Sequence, residues 1–138
     1  MTAAFSLVLD SHALSELASN ARSMRTWMAL VDRTGSDLYV STVTLAEVTD
    51  GSARDAHVRR ALRNLNLPIP PTEDIAFHAG RLRATAAGSR RKPRDLTVDA
   101  IVAATALTLR PPVVVLTSDK PDLDLLLDGT GVDVRAVG

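Results

Sequence analysis

Several features that commonly define a protein's class are missing from this sequence. It has no cysteine, which excludes a disulfide framework, a thiolate zinc site and a cysteine nucleophile. The three histidines, His12, His57 and His78, are too scattered for a recognisable zinc motif. No run approaches the roughly 18 apolar residues of a membrane span, and the first residues, MTAAFSLVLDSH, lack the basic leader of a secretory signal. We therefore predict a soluble, cytoplasmic protein with no membrane partner.

A net charge is also lacking, because 16 Lys and Arg residues balance 16 Asp and Glu residues. The balance is not local. Residues 54–94 hold ten basic side chains against three acids, whereas the segments on either side are acidic. This asymmetry predicts a polyanion as the partner of the central segment and cations as the partners of the flanks.

The length and the residue pattern predict the fold. With 138 residues, 46% hydrophobic and 23% charged, the chain is expected to form a single domain over 1–138. Short apolar runs such as FSLVL, DLYVS and VVVLT are typical of strands buried on both faces, and they alternate with segments of helical periodicity. We predict a three-layer α/β/α sandwich with a mainly parallel central sheet.

Three helix boundaries are also predicted from local signals. Ser11 is a candidate N-cap for the first helix, and Gly35 is a candidate stop for the helix that contains MRTWMALV. Gly51 is expected to end the helix that begins in TVTLAEV.

Four acidic residues from distant parts of the chain are predicted to meet. Asp10 and Asp119 each follow a strand, Glu47 lies in the helix after a strand, and Asp99 lies in the first turn of the apolar helix LTVDAIVAATALTL. Ligands of open parallel sheets bind at the carboxyl ends of the strands. Four carboxylates gathered there would repel one another unless a cation joined them, and oxygen ligands select Mg²⁺ or Mn²⁺.

Each acid taken alone has a simpler interpretation. Asp10 or Asp119 can be a helix N-cap, and Glu47 can be a solvated helical residue. Asp99 can be a first-turn acid that interacts with the helix dipole. His12 is interpreted as a first-turn helix residue and not as a metal ligand.

Four segments of the chain resemble the motif regions of PIN-domain ribonucleases, in order and spacing. These segments are VLDSHALSEL, STVTLAEV, DLTVDAIVAATAL and VVLTSDKPDL, and within that family they resemble the VapC toxins of bacterial toxin–antitoxin pairs. The resemblance implies that the catalytic, metal-binding acids are Asp10, Glu47, Asp99 and Asp119, with Thr117, Ser118 and a further acid, Asp122, in supporting positions. His12 departs from the small or hydroxyl residue that is usual there.

The resemblance implies a Mg²⁺-dependent endoribonuclease (Mn²⁺ as the alternative ion), in which Glu47 either binds the metal or acts as a general base. It also implies a homodimer and a cognate antitoxin, which could present an arginine to the acids. The segment MRTWMALV supports a dimer because it holds more apolar surface than one short helix needs.

The loop SRRKPRD predicts a site for the RNA backbone, because an acidic active site needs cations beside it. Its basic residues, Arg90, Arg91, Lys92 and Arg94, end shortly before Asp99. The alternative is a solvated loop that faces away from the acids.

Other classes of protein fit the sequence less well. A receiver-like domain needs an acidic pair near its phosphoacceptor, and a haloacid-dehalogenase-type phosphatase needs Asp-x-Asp, where this chain has His12. The main alternative is a catalytically inactive PIN-like domain that binds RNA or a protein partner.

Overall fold

A computed structural model describes residues 3–88 and 95–137 of the chain. In these ranges the strands are β1 (Ser6–Leu9), β2 (Asp37–Tyr39), β3 (Val113–Thr117) and β4 (Asp133–Ala136). The helices are α1 (Ser11–Ala18), α2 (Arg22–Thr34), α3 (Thr42–Val48), α4 (Asp55–Leu62), α5 (Glu73–Ala87), α6 (Thr97–Ala106) and α7 (Lys120–Leu126). No helix within the described ranges is long and apolar enough to cross a membrane.

The four strands form one sheet in the order β2-β1-β3-β4, and all neighbouring pairs are parallel. In the register of the central pair, Leu9 lies opposite Leu116, so β1 and β3 end side by side. The last strand, β4, lies at an edge of the sheet. The prediction of a mainly parallel sheet is therefore confirmed.

Helices cover both faces of this sheet. Val8 packs into a cluster with residues of α5, α6 and α7. Its neighbours in β1, Leu7 and Leu9, point to the other face and pack with residues of α1, α2 and α4. Because the sheet is buried on both faces, the sequences of its strands are nearly continuous apolar runs. The predicted three-layer α/β/α sandwich is confirmed.

Two of the three predicted helix boundaries are wrong. The N-cap of α1 is Asp10 and not Ser11, because the Asp10 carboxylate accepts the Ala13 N–H and Ser11 is already helical. Helix α3 ends at Val48, before Gly51, because the backbone becomes extended at Thr49. Gly35 does end α2, in the left-handed conformation that favours glycine.

The apolar stripe of α2 lies largely against the core. Met24 and Val31 are buried, and Trp27 and Met28 are partly buried against the same cluster. The surface that suggested a dimer from sequence is thus mostly occupied within the chain. In the described residues, the large hydrophobic side chains that remain exposed are Leu67 (88%), Phe77 (65%) and Leu125 (37%).

Candidate active site

The strand order places a crevice between the ends of β1 and β3. The chain leaves β1 for β2 on one side of the sheet, and β3 is followed by β4 on the other side. Adjacent strands whose connections diverge in this way leave an opening at their carboxyl ends, where ligands of α/β proteins bind. Asp10 follows β1 directly, and Ser118 and Asp119 follow β3, so the predicted acids flank this opening.

Asp10 connects the two turns at the crevice. Its Oδ1 accepts the backbone N–H of Ala13 at 2.8 Å, and its Oδ2 accepts the backbone N–H of Ser118 at 2.9 Å. Its own N–H donates to the Leu116 carbonyl at 3.0 Å, and the residue is only 6% exposed. Each carboxylate oxygen can accept more than one bond, so these contacts leave capacity for a cation. Asp10 therefore has a structural role whatever it binds.

Three other acids form what we call the three-acid cluster: Asp99, Asp119 and Asp122. One carboxylate oxygen from each lies within 4.8 Å of the other two. Asp99 comes from the first turn of α6, Asp119 precedes α7, and Asp122 comes from the first turn of α7. Asp122 is 7% exposed, and the other two are partly buried. The resemblance gave Asp122 only a supporting place, whereas its position here matches that of a ligand.

The turn that carries Asp119 is held by a buried hydroxyl. Thr117 Oγ1 accepts the Asp119 N–H at 2.8 Å, and Thr117 is fully buried. Ser118 contributes its backbone N–H to Asp10, while its side chain is exposed. Of the two hydroxyl residues predicted to support the site, Thr117 is the one whose hydroxyl fixes an acid.

Glu47 lies near the other acids but outside the three-acid cluster. Desolvation and the negative charges of Asp10 and Asp119 raise the pKa of the Glu47 carboxyl, and a hydrogen bond with Ser11 partly opposes this rise. Because the effect of a charge on a pKa decays with distance, these causes place Glu47 beside the crevice. The structure thus brings Asp10, Glu47, Asp99 and Asp119 to one end of the sheet, with Asp122 added.

Two further predictions concern residues beside the crevice. His12 is in the first turn of α1, as expected, and its Nε2 lies 3.3 Å from Glu16 Oε1 on the same helix. The basic loop residues Arg90, Arg91, Lys92 and Arg94 lie outside the described residues. Their role with RNA stays a prediction.

A polar network at the start of α6 was missed from sequence. Thr97 is the first residue of α6, two positions before Asp99, and its N–H and hydroxyl both donate to Asp95 Oδ1 at 2.9 and 2.5 Å. Arg83 of α5 donates to the same hydroxyl at 2.7 Å. The bonds from Thr97 lower the pKa of the Asp95 carboxyl. An aspartate two residues before a threonine at a helix start is a usable sequence signal for such a side-chain turn, but the arginine is visible only in the fold.

Comparison with known proteins agrees with this geometry. Residues 7–121 match the PIN domain family, while no curated protein is significantly similar to the chain in sequence. A chain of the Rickettsia felis VapBC2 complex, solved with a DNA fragment from its promoter, is 13% identical, with a TM-score of 0.74 over 96% of this chain and 99% of that one. A chain of DNA-bound VapBC from Salmonella typhimurium is 18% identical, with a TM-score of 0.71 over 97% and 99%. A chain of FitAcB from Neisseria gonorrhoeae is 19% identical, with a TM-score of 0.65 over 93% and 95%.

The family match spans most of the chain and includes β1, α3, α6 and β3, the elements that surround the crevice. The solved structures share the fold over nearly their whole length. The chain therefore belongs to the PIN domain family.

Proposed function

We propose that this PIN domain is a divalent-metal-dependent endoribonuclease and the toxin of a toxin–antitoxin pair. The observation that carries the proposal is the three-acid cluster, with Asp10 and Glu47 beside it, at the carboxyl ends of β1 and β3. Membership of a family of nucleases supports the same activity. Such a grouping of carboxylates has little value for stability, because the charges repel one another until a cation binds.

The donor set fits a hard divalent ion. Three carboxylate oxygens within 4.8 Å of one another, with no histidine or cysteine among them, suit Mg²⁺ or Mn²⁺ better than zinc. Asp99, Asp119 and Asp122 would hold the ion, with the Asp10 carboxylate next to them. The chemistry that such an ion supplies is acidification of a bound water and stabilisation of negative charge on a phosphate.

Glu47 would take the proton from the attacking water. Its carboxylate lies outside the three-acid cluster but close enough to feel the charges of Asp10 and Asp119, which suits a group that accepts a proton beside the ion. Ser11, through its hydrogen bond, would orient this carboxylate. In this arrangement Asp10 fixes the turn before α7, and Thr117 fixes the backbone of Asp119.

The site also suits an inhibitor. An acidic crevice would accept an arginine from an antitoxin, which would neutralise the carboxylates and exclude the metal ion. The similar folds in the two VapBC complexes support a protein partner of this kind. An RNA substrate and such a partner would place the protein in the cytoplasm.

Cleavage of RNA tests the enzymatic proposal directly. Purified protein is incubated with single-stranded RNA in Mg²⁺, Mn²⁺ or EDTA, and Asp122→Asn is compared with Asp124→Asn. Asp124 is the matched control because it is on the same helix and pairs with Lys120 at 2.8 Å. We expect cleavage that EDTA and Asp122→Asn abolish and Asp124→Asn leaves unchanged. RNA that the wild-type protein binds but does not cleave in either metal would favour the inactive alternative.

We also propose that the homodimer forms through α5. Asp74, Phe77, His78 and Arg81 follow one another at helical spacing on α5. With Ala104 of α6 and other residues they line an open groove of about 760 Å³. In an antiparallel α5–α5 pair about a twofold axis near Phe77, each Asp74 would face the partner's Arg81. The exposed ring of Phe77 would be buried at the centre.

Reversal of charge tests this interface. Asp74→Arg alone should weaken the dimer by placing like charges together, and Asp74→Arg combined with Arg81→Asp should restore it. The measurement is the molar mass by light scattering across micromolar concentrations. A wild-type monomer at high micromolar concentration, or a dimer indifferent to both changes, would contradict the interface.

A further inference from the structure

The exposed face of α4 carries three arginines that the proposed active site does not use. Arg59, Arg60 and Arg63 lie within the last turn of the helix and its C-cap, and all three are exposed. Val58 and Ala61, on the opposite side, are buried against the core. The burial of that side fixes the orientation of the helix, so the three guanidinium groups project from one surface, which we call the arginine face.

Neighbouring acids do not neutralise this surface. Asp55 is one helical turn before Arg59, the position from which an acid usually pairs with a base. Its carboxylate instead accepts the backbone N–H groups of Asp50 and Gly51, at 3.2 and 2.8 Å. Within residues 3–88 and 95–137, no ion pair involves an arginine of this face.

The contact between His57 and Arg60 preserves the positive charge. His57 Nδ1 lies within hydrogen-bond distance of Arg60 Nη2. A guanidinium can only donate, so Arg60 is the donor to this nitrogen and keeps its charge. The helix dipole favours a base near the C-terminal end. The dipole does not explain why three arginines lie together at this end, nor why Asp55 bonds to the preceding loop and not to Arg59.

The arginine face is connected to the active site through two elements. Helix α4 packs against α1, whose N-cap is Asp10. A loop over residues 49–54 joins α4 to α3, which carries Glu47, and Asp55 fastens this loop through its backbone N–H groups. The eight residues of α4 span about 12 Å, the length of a few nucleotides. Helix α4 is therefore in contact with the helix that Asp10 caps and is joined by one short loop to the helix that carries Glu47.

We propose that Arg59, Arg60 and Arg63 bind backbone phosphates of the RNA outside the crevice. This inference rests on the proposed ribonuclease function. Guanidinium groups present paired donors that match phosphate oxygens, and exposed arginines without an acidic partner lose no ion pair when they bind. The face lies outside the acidic crevice, so it can attract RNA where the crevice itself repels it.

Salt dependence of RNA binding tests the proposal. A labelled single-stranded RNA is titrated with the full chain in EDTA, which prevents metal-dependent cleavage, and affinity is followed by fluorescence anisotropy from 50 to 200 mM salt. The test variant combines Arg59→Gln, Arg60→Gln and Arg63→Gln. The control combines Arg22→Gln, Arg25→Gln and Arg33→Gln, three exposed arginines of α2, and so removes the same charge. Circular dichroism establishes that both variants fold.

Three phosphate contacts correspond to a change in the slope of log K against log salt of about 2. Over this fourfold rise in salt, wild-type affinity should fall roughly 20-fold more than that of the α4 variant. The α2 control should keep the wild-type slope. Equal slopes in all three proteins, or an equal loss in both variants, would overturn the proposal.

These measurements distinguish a wrong assignment of the arginine face from a wrong ribonuclease function. If the wild-type protein cleaves RNA in Mg²⁺ and the α4 variant binds RNA normally, the arginine face is excluded while the nuclease function stands. If the α4 variant loses an antitoxin but not RNA, the face binds protein and the proposal is wrong. If the wild-type protein neither binds nor cleaves RNA, both the function and this inference are wrong.

Discussion

Two turns of the molecule share a local pattern and use it differently. In each, an aspartate lies between a parallel strand and the helix that follows. Asp10 caps its helix by accepting the Ala13 N–H, and its other oxygen reaches across the crevice to Ser118. Asp119 is the N-cap residue of α7 but its side chain makes no capping hydrogen bond, its N–H is held by Thr117, and its carboxylate belongs to the three-acid cluster. The pattern of strand, aspartate and helix therefore locates an acid at the crevice without deciding whether it supports the fold or binds a ligand.

The largest expected effect is a loss of RNA cleavage when Asp119, the acid of the three-acid cluster, is changed. Asp119→Asn should leave the protein folded and reduce RNA cleavage at least 100-fold, or roughly 2.7 kcal/mol in the activation free energy. The reason is that the change removes a metal-binding charge and no cap. Cleavage rates in Mg²⁺ and thermal melts in EDTA measure the two outcomes. A folded variant with undiminished cleavage would contradict the metal-binding role.

Asp10→Ala should act mainly on stability. The change removes a helix cap and the bond from Ser118 to a buried carboxylate, and each loss costs about 1–2 kcal/mol. Relief of repulsion among the acids offsets part of this cost. We expect the free energy of unfolding in EDTA to fall by about 2 kcal/mol in urea titrations. If Asp10→Ala lowers the free energy of unfolding no more than Asp119→Ala does, Asp10 has no larger structural role than Asp119.

Thr117→Val tests what keeps Asp119 from acting as a cap. Valine has a similar shape but cannot accept the Asp119 N–H, and this loss should cost about 1 kcal/mol. The affinity for Mn²⁺, measured by calorimetry, should also fall, because the turn that carries Asp119 is no longer fixed. Ser118→Ala is the control, since the bond from Ser118 to Asp10 comes from its backbone. Equal behaviour of the two variants would mean that the hydroxyl has no positioning role.

Glu47→Gln should have the smallest effect on stability, and that effect should depend on pH. The folded protein raises the pKa of Glu47 above its ordinary value of 4.5, so the charged carboxylate destabilises the metal-free fold at neutral pH. As the pH falls through the raised pKa towards 4.5, the folded state takes up the proton first and the destabilisation is lost. Glu47→Gln should therefore be slightly more stable than wild type at pH 7 in EDTA. The difference should shrink at lower pH, and a difference independent of pH would contradict the raised pKa.

Much of the candidate site follows from sequence because its acids occupy predictable positions. Apolar runs that end at Asp10 and near Asp119 mark the carboxyl ends of strands, and the apolar helix around Asp99 makes its lone charge conspicuous. Asp122 was harder to assign, because a first-turn acid has an ordinary explanation in the helix dipole. Its burial beside Asp99 and Asp119 depends on how α7 packs against α6.

The sequence by itself determined the alternation of strands and helices, the burial of the sheet on both faces and the presence of acids at the strand ends. These features follow from local patterns of polarity. The tertiary structure decided which acids act together. The order β2-β1-β3-β4 makes β1 and β3 neighbours, and only then can Asp10 accept a bond from Ser118, 108 positions away in the chain. The role of a side chain depends on such distant partners, and no local pattern encodes them.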